Sequence, residues 1–77
     1  MLTGSQIRAA RALLNWNASD VAEKVGVTRQ TILRLEQSDG VPASKTQTML
    51  ALQKVFEEGG VEFIGSPEDR PGVRMRF

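Results

Sequence analysis

NASDVAEKVGVTRQTILRLEQ, residues 17–37, holds two short helical patterns on either side of one glycine. In the first, Val21, Ala22 and Val25 recur at helical spacing, so one face is apolar while Asp20, Glu23 and Lys24 face water. In the second, Ile32 and Leu35 lie three apart and face inward. Gly26 falls where one helix must stop and the chain reverse, a left-handed position that glycine adopts without penalty. Thr28 follows, with a hydroxyl able to cap the next helix.

Helices joined by so tight a turn cross steeply and touch closely, which demands a small side chain at the contact. Ala22, four residues before the glycine, supplies it, and Ile32, six residues after, closes the wedge. Alanine, glycine and a branched apolar residue on this spacing, with the trailing Leu35-Glu36-Gln37, resemble the helix-turn-helix of the phage-repressor and Cro-like family of DNA-binding proteins. The resemblance spans roughly residues 3 to 58. It implies a mainly α fold: a compact four-helix, lambda-repressor-like domain over residues 1–60. The tail departs from the family, many of whose members continue with a fifth helix: residues 61–77 read instead as a short C-terminal β-hairpin, expected to serve as a dimerisation tail.

The flanking sequence repeats one grammar of helix starts. Thr3 with Gln6 three later forms a capping box, Leu2 can staple onto Ile7, and Ile7, Ala10 and Leu14 make the inward stripe of a helix over residues 3–14. Arg8 and Arg11 flank that stripe. Asn17 with Asp20 caps the second helix, with Trp16 stapled onto Val21, and Thr28 caps the third, with Val27 stapled onto Ile32. A base-stacking or partner-anchoring role for Trp16 stands beside the staple as its alternative. Ser38 to Pro42 reads as a loop. Ser44 with Gln47 opens a fourth helix running to about Glu58, with Met49, Leu52, Val55 and Phe56 buried, before Gly59-Gly60 ends it. Ser44-Lys45-Thr46 has the ending of a phosphate-binding loop but lacks its glycines, so it carries no nucleotide site.

Beyond Gly60, Val61 to Ile64 and Val73 to Phe77 read as two strands joined by a polar, proline-containing loop over residues 65–72. The second alternates, with Val73, Met75 and Phe77 on one face and Arg74 and Arg76 on the other, toward Glu62 or water. An isolated two-stranded hairpin is marginal, so it must pack on the helices, pair with another copy, or both.

Composition bounds the function. The chain's 77 residues allow one small core, and such a domain gains from dimerisation. With no cysteine and no histidine, thiol catalysis, a zinc–thiolate centre and imidazole chemistry have no residues to use. Glu57-Glu58 and Glu68-Asp69 sit at a helix end and in a loop, where neighbouring acids are solvated, so no enzyme, metal or cofactor is expected. No apolar run is long enough to span a membrane, and a cytoplasmic protein is the expectation. The net charge is only +1, yet residues 1–54 carry seven Lys or Arg against four Asp or Glu, while residues 55–77 carry three against five. The helical part is the basic part.

The outward face of the third helix carries Arg29, Gln30, Leu33 and Arg34. Arginine binds guanine bidentately and glutamine does the same with adenine. The resemblance implies that these residues read bases, and that Asn17, Ser19, Thr28, Thr31 and Lys45 grip phosphate. It further implies that Glu36 pairs with Arg11, tying the recognition helix to the first. One departure stands out: the family commonly opens its second helix with a glutamine, and this chain has Ala18. The expected partner is double-stranded DNA, bound by a homodimer on a two-fold operator. The competing expectation is an antitoxin-like or adaptor module that offers its C-terminal strands to a protein partner.

Overall fold

The structure, a computed structural model, describes residues 2–77. Four helices, α1 (Gly4–Leu14), α2 (Ala18–Val25), α3 (Arg29–Glu36) and α4 (Thr46–Glu58), are followed by β1 (Val61–Ser66) and β2 (Asp69–Met75), which pair as an antiparallel hairpin. The fold is mainly α, as the sequence implies.

Local chemistry sets the helix boundaries. At α1 the Gln6 amide donates to Thr3 Oγ1 (3.1 Å) while the Thr3 amide donates to Gln6 Oε1 (2.9 Å). Asn17 and Asp20 repeat this reciprocal pair at α2, at 2.8 and 3.1 Å. At α3 the Thr31 amide donates to Thr28 Oγ1 (3.2 Å), and the two hydroxyls share a second bond at 2.9 Å. Each pair satisfies amides that the first helical turn leaves without an acceptor. At α4 the expected Ser44 cap is not formed. The extended residue before that helix is Lys45 (φ −64°, ψ 138°), which has no acceptor to offer, so the helix starts one residue later with no side-chain cap.

Ile7, Ala10, Val21, Ala22, Ile32, Leu35, Met49, Leu52, Phe56 and Val61 form the buried core. Leu14, Val25 and Val55, expected on inward faces, are half-buried. Trp16 reaches past α2 to stack on Phe56 of α4, with ring centroids 6.1 Å apart and planes at 23°.

The hairpin is longer than its alternating residues indicate. Glu62 faces Arg74, Phe63 faces Val73 and Ile64 faces Gly72, and the ladder resumes at Ser66 and Asp69 beyond a bulge. The expected loop shrinks to Pro67-Glu68 because Gly65 (φ 76°) and Arg70 (φ 52°) take left-handed conformations that absorb the mismatch. Pro71 is tolerated inside β2 because an edge strand needs no donor on its outer side. The hairpin is fastened to the helices at both ends. Val61 lies in the core, Phe63 meets Phe56 edge-on (6.1 Å, 67°), and Gln6 Nε2 donates to the carbonyls of Gly72 (3.0 Å) and Ile64 (3.4 Å).

Candidate nucleic-acid interface

The geometry of the candidate surface begins at the α2–α3 turn. Gly26 adopts φ 88°, and the amides of Gly26 and Val27 both donate to the Ala22 carbonyl, at 2.8 and 3.0 Å. That pattern closes α2 and turns the chain within three residues. Ala22 retains 4% of its exposure and Ile32 none, so α3 is held against α2 by a small residue meeting a branched one.

A second clamp holds the other end of α3. Arg11 Nε donates to Glu36 Oε2 (2.6 Å) and Arg11 Nη2 to Glu36 Oε1 (3.0 Å), a bidentate pair, while Nη1 reaches the Trp16 carbonyl (3.2 Å). The hydrogen bond to Glu36 raises the Arg11 pKa above its ordinary value, against the opposing effect of burial. The Glu36 side chain is 5% exposed and that of Arg11 23%. Arg8, which the sequence placed only beside the stripe, donates from Nη1 to the Glu36 main-chain carbonyl (3.0 Å) and so closes the C-terminal end of α3. Its position three residues before Arg11, on one face of α1, was the available signal. Gly4 lets this junction close: a Cβ there would lie 2.5 Å from the Ser38 carbonyl oxygen and 2.6 Å from that of Leu35.

With both ends fixed, α3 presents an ordered polar surface. Arg29 and Gln30 are exposed at its first turn, and neither side chain has a hydrogen-bond partner among the described residues. Arg34 is exposed one turn on, with Nη1 donating to the Ala43 carbonyl (3.3 Å), which draws its guanidinium toward the α3–α4 loop. Leu33 is half-buried and packs against the core, so it offers an edge rather than a whole side chain.

The expected phosphate-gripping residues fall into two groups. Asn17, Ser19 and Thr28 are exposed and Thr31 is half-buried at the starts of α2 and α3. The Asp20 carboxylate already accepts from the Asn17 amide. The anion-accepting part of the α2 start therefore narrows to the amides of Ala18 and Ser19, which have no acceptor within the helix. Ala18 is buried, so its small side chain fills the core in a place a glutamine would reach outward. Lys45 stands exposed at the start of α4, whose first amides no side chain caps. A cation beside open amides at a helix N-terminus makes a better anion seat than the sequence indicates, because the expected Ser44 cap would have filled it.

Among the described residues no group of acids forms a metal-binding cluster and no helix is long and apolar enough to cross a membrane. A family model described as helix-turn-helix matches residues 7–58 of the chain. Comparison with curated proteins gives no match.

Proposed function

Because the chain belongs to the phage-repressor and Cro-like helix-turn-helix family, whose members are DNA-binding regulators, we propose that it binds a specific operator with α3 in the major groove. The observation that carries this reading is the first turn of α3. Arg29 and Gln30 are polar, exposed and unengaged among the described residues, on a helix immobilised at both ends. Arginine and glutamine in these positions read guanine and adenine edges, and Arg34 reaches a base or a phosphate one turn later. Lys45 with the open start of α4, and Ser19, Asn17, Thr28 and Thr31 at the other edge, grip the backbone on either side.

The protein acts as a homodimer on a palindromic site, with the two copies of α3 about 34 Å apart, one turn of the duplex. Residues 61–77 serve as the dimerisation tail. A core of this size gains stability by association, and two weak half-site contacts gain specificity together.

The test is the double variant Arg29→Ala, Arg34→Ala. Both side chains are exposed, so its melting temperature should match the parent. Its affinity for operator DNA should fall by about a hundredfold or more, at about 1–3 kcal/mol for each base contact. Unchanged affinity would remove α3 from the interface.

A further inference from the structure

We propose that the cleft between the Trp16 indole and the end of α4 binds a small zwitterion with an apolar body, namely a free amino acid with a hydrophobic side chain. The cleft has a volume of about 360 Å³ and is lined by Trp16, Lys24, Val55, Glu58 and Gly59. Small-molecule sites occupy about 300–1,000 Å³, so a ligand of this size fits. None of the lining residues belongs to α3 or to the set assigned to phosphate, so the site is separate from the DNA-reading surface.

The apolar wall is fixed in place. Gly59 has an ordinary helical backbone (φ −78°, ψ −7°), so no conformational demand selects glycine there. Space does: a Cβ would lie 2.9 Å from Trp16 Cη2 and 2.9 Å from Leu14 Cδ1. That close seat and the stack on Phe56 hold the indole, which is left half-buried with the half-buried Val55 beside the same cleft.

The rim carries one charge of each sign. Lys24 and Glu58 are both exposed, and neither forms an ion pair among the described residues. Lys24 instead rests its ammonium over the indole, 5.0 Å from the ring centroid. Asp20 and Glu23 share a second, smaller cleft of about 240 Å³ with the same lysine, and they leave it unpaired too. A cation resting on an exposed aromatic face is weakly held, so a carboxylate can claim it. A ligand of single charge meets one attracting and one repelling neighbour at this rim. An amino acid meets two partners: its carboxylate turns to Lys24, its ammonium to Glu58, and its side chain lies against Trp16 and Val55.

Trp16 is the chain's one tryptophan and tyrosine is absent, so its fluorescence reports this cleft directly. Phenylalanine added to the intact protein should change the emission saturably, with half-saturation on the order of 1 mM for so small a ligand in an open cleft. Hydrocinnamate, which lacks the ammonium, and phenethylamine, which lacks the carboxylate, should each bind about tenfold more weakly. Lys24→Met should weaken phenylalanine by about tenfold and leave phenethylamine no weaker. Glu58→Gln should weaken phenylalanine likewise and leave hydrocinnamate no weaker. Both side chains are exposed, so both variants should fold, which circular dichroism checks. Should either unfold, the three-compound comparison on the parent decides alone. An absent or merely linear response to phenylalanine, equal binding of all three compounds, or unaltered binding in both folded variants would overturn the site.

Discussion

Arg11 and Glu36 illustrate how a buried ion pair serves function indirectly. Their side chains are mostly shielded from water, the carboxylate is fully engaged by two donors, and Arg8 adds a third cationic contact at the same helix end. Removing one member strands the other. Glu36→Ala should therefore destabilise the domain by about 3 kcal/mol, measured by denaturant unfolding. Loss of DNA binding at unchanged stability would instead make Glu36 part of the interface. Gly26 makes a different residue-scale prediction. A Cβ there would meet nothing within 4 Å, so Gly26→Ala suffers only from its φ of 88°. The expected loss is about 1 kcal/mol, against a larger one had the site also been crowded.

The same residues explain what the sequence disclosed and what it concealed. Gly26, Ala22 and Ile32 were legible because a sharp turn between touching helices leaves few side chains acceptable at those positions. The Thr3, Asn17 and Thr28 caps were legible because capping is local, settled within four residues. The Gln6 bond to the hairpin was not, because its partners lie more than fifty residues away and are main-chain carbonyls that any sequence possesses. The start of α4 was misplaced by one residue because Ser44 and Gln47 satisfied the local rule while the extended backbone fell on Lys45.

Among elements, the hairpin carries the most consequence for the least sequence signal. The strand-spoiling Gly65, Pro67 and Pro71 hide a ladder that a bulge reconciles, so only its alternating end was readable. Its attachment to α1 makes an element-scale prediction. Gln6→Ala removes both the capping-box carboxamide and the bonds to Gly72 and Ile64, so α1 and the hairpin should loosen together. Hydrogen exchange should rise in residues 61–75 as well as in the first turn of α1, with a global loss of about 2 kcal/mol. Exchange confined to α1 would mean that Val61 and Phe63 alone secure the hairpin.

For the whole molecule, the modest net charge is not the quantity that governs DNA affinity. Three of the seven basic side chains of the helical part, Arg29, Arg34 and Lys45, stand exposed on α3 and at the start of α4, while Arg8 and Arg11 are engaged at Glu36 and the hairpin pairs Glu62 with Arg74 and Asp69 with Arg70. Binding through such a local patch should weaken steeply with salt, with a log–log slope of about −4 or steeper for a dimer. The most direct test of the central claim is selection of the intact protein against random double-stranded DNA, carried through in parallel with Arg29→Ala, Arg34→Ala. The expected result is an enriched palindrome whose half-sites lie one helical turn apart, about 34 Å, and which vanishes in the variant. Failure to enrich any sequence, or the same motif emerging from parent and variant alike, would contradict the assignment of α3 as the element that reads DNA.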